Sequence, residues 1–215
     1  MKIAPHNKLI FIGDSITDCE RARPIGEGLF GAVGKSYVQL LEGFLGAIHP
    51  AHGIRIVNMG TSGHTVLDLK ARWQTDVLDL KPDWLSIMIG VNDVWRQFDL
   101  PRQNEIHVLP KVYEKTLNDL AGKTRPKLKG LIMLAPFYLE PNRDDAMRAR
   151  MDEYGAIVKK IAAKHRAIFI DTQAEFDAVL KHMHSNAIAW DRVHPNIIGH
   201  AVIARAFMNA IGVPV

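Results

Sequence analysis

The sequence predicts a three-layer α/β/α sandwich around a five-stranded parallel sheet, and three observations carry that expectation. Short apolar runs of strand length alternate along the 215 residues with longer stretches of helical period, the alternation that builds a parallel sheet covered by helices on both faces. The apolar runs are nearly continuous rather than alternating with polar residues, as strands buried on both faces require. The length suits one domain, expected to span 1–215, with no internal repeat and no Gly/Ser-rich linker to divide it.

The strands are expected at 9–12, 54–57, 84–89, 130–134 and 168–170. Between and after them the apolar spacing predicts helices at about 36–48, 66–80, 109–121, 144–165, 174–182 and 196–210. Right-handed crossovers and short connections then favour the flavodoxin-like strand order 2-1-3-4-5, in which ligands bind at the carboxyl ends of the strands. Two longer stretches, 17–34 and 96–108, read as irregular pocket walls or subunit contacts.

Composition excludes several classes. Apolar residues make up 47% and charged residues 23% of the chain, an ordinary globular balance. A net charge of +4 is a modest surface excess, and the basic stretch 123–129 lacks interleaved aromatics, so no nucleic-acid partner is expected. The single Cys19 excludes an intrachain disulfide and a multi-thiolate zinc site. The first apolar run is too short for a signal peptide or a membrane span, so a cytoplasmic protein without a membrane partner is expected. Gly28 to Ser36 resembles a phosphate-binding loop until its spacing is counted: five residues separate Gly28 from Gly34, and no strand precedes them. His182 with His184, and His49 with His52, lack a third ligand, so no metal is expected.

Chemistry concentrates at the strand ends. Gly13-Asp14-Ser15-Ile16-Thr17 follows the first strand, where Ser15 reads either as a nucleophile or as a helix cap. Asn58-Met59-Gly60-Thr61-Ser62-Gly63-His64 follows the second, its glycines fitting a tight turn or a backbone approach to ligand. Gly90-Val91-Asn92-Asp93 follows the third and offers a side-chain amide, and Asp191-Arg192-Val193-His194-Pro195 pairs a carboxylate with an imidazole before the last helix. Together these are the parts of an acyl-transfer site: a weak nucleophile that needs a base, a base that needs an orienting carboxylate, and donors for an oxyanion. Ser15, His194 and Asp191 take the first three roles. The backbone N–H groups of Ser15 and Gly63 and the amide of Asn92 take the last, with Gly60 nearby as an alternative to Gly63. Asp14 and Asp93 read as loop organisers and Cys19 as a small packed residue. His64 and His200 lack an acid at a short loop offset. Trp190 and Trp95 flank the motifs, and Trp190 is expected as a substrate-binding pocket wall.

These four blocks resemble those of the GDSL/SGNH hydrolases, whose Ser, Gly, Asn and His correspond in order to Ser15, Gly63, Asn92 and His194. The first block departs from the family's name, with Ile16 in place of Leu. The stretches 11–23, 68–73, 84–96 and 189–195 are similar to the intracellular acetylxylan esterases of that superfamily. The resemblance implies a serine esterase that deacetylates xylo-oligosaccharides or similar acylated carbohydrates, works without a cofactor and assembles as a homo-oligomer. A general short-chain carboxylesterase or lysophospholipase with the same triad is the alternative, and a non-catalytic carbohydrate-binding protein a more distant one.

Overall fold

Leu9, Ile10, Phe11 and Ile12 are fully buried in the first strand, β1 (Lys8–Gly13), and a strand buried on both faces belongs at the centre of a sheet. In the computed structural model, which describes residues 1–214, four further strands join it: β2 (Arg55–Asn58), β3 (Trp84–Met88), β4 (Gly130–Leu134) and β5 (Ile168–Ile170). Val215, the last residue of the expected domain, lies outside the described residues. All pairings are parallel and the order is β2-β1-β3-β4-β5, as the sequence predicts. Ile10 pairs with Val57 on one side and Leu85 on the other, and Gly13 is level with Met88. The loops after β1 and β3 therefore open at the same edge.

Among the described residues, eight α-helices surround the sheet: α1 (Ser15–Asp18), α2 (Tyr37–Ile48), α3 (Val66–Trp73), α4 (Val91–Asp99), α5 (Pro110–Thr124), α6 (Ala146–Lys164), α7 (Thr172–Leu180) and α8 (Ile197–Ala210). Helices α2 and α7 pack against α8 in one layer. In the other, α5 packs between α3 and α6, and α4 lies against α6. Ser36 caps α2 by accepting from the Val38 N–H, and Asn196 caps α8 by accepting from Ile198 and Gly199. Ser36 thus ends the false phosphate loop as an ordinary cap.

Two of the motifs start helices, with Asp14 rather than Ser15 as the cap of α1. Residues 13–17 and 90–93 are not simple turns: each runs directly into a helix, α1 and α4, and α4 takes up the start of the stretch expected to be irregular from 96 to 108. Helix α4 hides its period because four successive residues, Val91, Asn92, Asp93 and Val94, are all buried. The helix expected over 66–80 keeps α-geometry only to Trp73 and continues as a π-helical turn over Gln74–Leu78. No helix among the described residues is long and apolar enough to cross a membrane.

Candidate active site

The end of β1 turns into α1 through Asp14, whose carboxylate accepts the Ile16 N–H at 3.0 Å and caps the helix. Ser15 is thereby the first helical residue, and its N–H is among the donors that a helix leaves without an intrahelical acceptor. Burial drives the Asp14 carboxyl up to about 7, against the lowering effect of the Ile16 N–H and of His194 and Arg72. Asp14 acts here as the loop organiser the sequence suggests.

The Ser15 hydroxyl lies 2.9 Å from Nε2 of His194, and Nδ1 of His194 lies 2.6 Å from Oδ2 of Asp191. Nδ1–H donates to the carboxylate, which leaves Nε2 free to accept from the hydroxyl. The other Asp191 oxygen accepts the N–H groups of Val193 and His194 at 2.9 and 2.8 Å. Burial raises the Asp191 carboxyl, but the His194 ring and these backbone donors outweigh it and hold the group below the usual carboxylate range. Asp191 is thus charged where the imidazole needs a counter-ion.

The loop carrying both residues is anchored on each side. Val193 is buried, the Asn196 N–H donates to the Ile188 carbonyl at 2.7 Å, and the Leu139 N–H donates to the Arg192 carbonyl at 2.9 Å. Arg192 also pairs with Glu140, while the fully buried Arg148 donates to the Glu140 carbonyl at 2.6 Å and to Asp177 at 2.7 Å. This places the triad loop against the segment after β4.

The loop after β2 separates its two glycines. At Gly60 an added Cβ would meet the Asp18 nitrogen at 2.3 Å, and the Gly60 N–H already donates to Oδ1 of Asn58 at 2.8 Å. Gly60 is therefore a close-packing glycine with its donor engaged. Gly63 has φ +81° with open space around its Cβ position, so its requirement is conformational. Asp18 fixes the loop between them, accepting the Ser62 N–H at 2.9 Å and its hydroxyl at 3.0 Å.

Asn92 is buried in the first turn of α4 and donates one Nδ2 hydrogen to the His64 carbonyl at 3.0 Å. Its Oδ1 accepts from Arg96 at 3.4 Å, which fixes the amide with Nδ2 toward the Gly63 loop. The adjacent Asp93 accepts the Val66 N–H at 3.0 Å and so tethers the start of α3.

The two tryptophans differ in their surroundings. Trp190, expected as a pocket wall, is 82% exposed beside Asp191. Trp95 packs against the His194 ring, with centroids 5.7 Å apart, and the Arg96 guanidinium lies over the Trp95 ring, 5.3 Å from its centroid. Sequence reasoning also missed Arg72 on α3, whose guanidinium donates to the Gly13 carbonyl at 2.9 Å, the Met59 carbonyl at 2.6 Å and Nδ1 of His64 at 3.0 Å. The available signal was its place beside Leu69 and Trp73 on the inward stripe of a short helix. His200 is also no rival base: its Nδ1 accepts the Tyr37 N–H at 3.2 Å, and burial lowers it to about 4.

Comparison with known proteins gives consistent results. Residues 11–202 match the model of the GDSL-like lipase/acylhydrolase family. An acetylxylan esterase of Geobacillus stearothermophilus is 57% identical over 212 residues, 99% of this chain and 97% of that protein. Its crystal structure superimposes with a TM-score of 0.98, as do those of its catalytic mutants S15A, D191A and H194A. An alpha/beta hydrolase from the metagenome of Lake Arreo, Spain, is 54% identical with a TM-score of 0.97, covering 99% of this chain and 98% of its own.

Proposed function

Because the chain belongs to the GDSL-like lipase/acylhydrolase family, we propose that it is a serine esterase that removes acetyl groups from acetylated xylo-oligosaccharides through an acyl-enzyme on Ser15. The observation that carries the reading is the continuous chain Ser15 Oγ, His194 and Asp191, at 2.9 and 2.6 Å. Support for the roles comes from the similar esterase, whose catalytic mutants change the same residue types at the same numbers, and support for the substrate from that esterase's acetylxylan activity.

The steps follow from the geometry. Ser15 Oγ attacks the acetyl carbonyl while His194 Nε2 takes its proton, and Asp191 stabilises the resulting imidazolium. The oxyanion is received by the N–H groups of Ser15 and Gly63 and the second Nδ2 hydrogen of Asn92. Collapse breaks the ester bond, His194 returns the proton to the sugar oxygen, and the acetyl group stays on Ser15. Water then repeats the sequence, deprotonated by His194, and releases acetate. No metal or organic cofactor is needed. Trp190, exposed beside Asp191, offers a ring face against which a sugar can stack. The reading extends to a single domain over 1–215 in a cytoplasmic homo-oligomer.

The test is hydrolysis of p-nitrophenyl acetate and of fully acetylated xylobiose by wild type and Ser15→Ala. Wild type should cleave both, and the variant should lose about 10⁴ to 10⁶ in kcat. Cleavage of the activated ester alone would keep the triad and remove the sugar substrate. A folded wild type inactive on both would overturn the reading.

A further inference from the structure

Arg72 lies outside the triad and outside the three oxyanion donors, yet it touches the supports of both. Its Nη2 donates to the carbonyl of Gly13, two residues before Ser15, at 2.9 Å. The same carbonyl accepts the Thr61 N–H of the Gly63 loop at 3.0 Å. Nη1 donates to the Met59 carbonyl at 2.6 Å and to Asp76 at 2.8 Å, and Nε donates to Nδ1 of His64 at 3.0 Å. The His64 carbonyl is in turn the acceptor of the Asn92 amide at 3.0 Å. One guanidinium therefore joins the ends of β1 and β2 and reaches the third oxyanion donor through one residue.

We propose that Arg72 is a positioning residue for ester hydrolysis, holding the Ser15 strand end and the Gly63 loop in register and fixing His64 as the neutral tautomer protonated on Nε2. The inference rests on the serine-esterase reading above. The planar fork suits this task, because fixed N–H directions meet three acceptors on two loops at once, which an ammonium on a flexible stem does not reproduce. Its side chain is 13% exposed, so the bonds form largely out of water. An arginine only donates, so Nδ1 of His64 must accept, and the ring proton belongs on Nε2. Burial and the Arg72 charge hold His64 below the usual histidine range, outweighing the facing carboxylates of Asp68, Asp76 and Asp18. A second imidazole, on the Gly63 loop, is thus kept from taking a proton.

Arg72→Ala and Arg72→Lys, with Ser15→Ala as the inactive reference, test the assignment on p-nitrophenyl acetate. Displacing reacting groups by about 1 Å costs on the order of 10² in rate, so kcat should fall about that far in each folded variant with KM nearly unchanged. Guanidinium ion at millimolar concentration should restore part of the activity of Arg72→Ala and none of that of Arg72→Lys, whose side chain fills the place. In proton NMR, the His64 ring should titrate at higher pH in Arg72→Ala than in wild type. Wild-type kcat in either folded variant, a loss confined to KM, or an unmoved His64 titration would overturn the proposal. Failure of both variants to fold would do the same, leaving Arg72 as a purely structural residue. The NMR titration needs no turnover, so an inactive wild type would sink the esterase reading while the clamp on His64 is still judged.

Discussion

At Asn92 the specificity of a donor is set by its two neighbours. The His64 carbonyl takes one Nδ2 hydrogen at 3.0 Å and Arg96 occupies Oδ1 at 3.4 Å, so the remaining hydrogen has one direction left to point. Asn92→Ala should lower kcat by about 10² to 10³, roughly 2.7 to 4 kcal/mol of transition-state stabilisation, with little change in KM. Steady-state kinetics on p-nitrophenyl acetate measure both, and a rise in KM alone would show that Asn92 binds ground-state substrate instead. Ser15, Asp191 and His194, which lie within hydrogen-bond reach of one another, were legible because they stand just after a strand or before the last helix, where a parallel sheet gathers its loops, and the same rule suggested Gly63 and Asn92. Arg72 and Trp95 were not legible. Trp95 meets a ring 99 positions away in sequence, and the bonds by which Arg72 joins the two loops go to backbone carbonyls, which leave no spacing to read.

At the level of elements, the site depends on how closely the loop after β2 lies on α1. The space at Gly60 is filled by backbone: the Asp18 nitrogen at 2.3 Å and the Thr17 carbonyl carbon at 2.7 Å from an added Cβ. Gly60→Ala must push the loop after β2 away from α1. The expected result is a loss of about 1 to 3 kcal/mol in stability together with a fall of about 10² in kcat. Gly43, exposed in α2 with nothing within 4 Å of its Cβ position, is the contrasting case. Gly43→Ala should stabilise by about 0.5 to 1 kcal/mol and leave kcat as it is. Urea unfolding and kinetics on the two variants compare the same added methyl in opposite surroundings, and equal behaviour would refute the close-packing account. The strands and long helices were legible because continuous apolar runs and helical spacing survive in them. Helices α1 and α4 were not, since one is a single turn and the other buries the polar Asn92 and Asp93 among its first residues. Buried polar residues there break the apolar pattern by which a helix is recognised.

Across the whole molecule, the buried polar groups beneath the site set the pH dependence of stability. Burial carries the Asp93 carboxyl from 3.8 to about 8, against the lowering effect of the Val66 N–H, and carries Asp14 to about 7. The unfolded chain releases these protons near pH 4, while the folded chain keeps them until about 7 and 8. Between those limits the folded state holds more protons, so stability falls as pH rises, by at most about 1.4 kcal/mol per pH unit for each group. His200 acts in the opposite sense: burial lowers it from 6.5 to about 4, so the unfolded chain takes its proton first and stability falls as pH drops from 6.5 toward 4. His64 and His165, also held below the usual histidine range by burial, act in the same sense as His200, and below pH 4 the depressed carboxylates Asp18, Asp68 and Asp191 lose their partners as they protonate. Stability should therefore fall above pH 6.5, where the raised Asp14 and Asp93 act without the histidines against them, and below pH 4, with the optimum between. Asp93→Asn keeps an oxygen to accept the Val66 N–H and removes the charge, so its advantage over wild type should grow steadily from pH 4 to pH 8 and then level off. Urea midpoints measured across that range decide the matter: curves that stay parallel would mean that Asp93 ionises as freely in the folded protein as in the unfolded one.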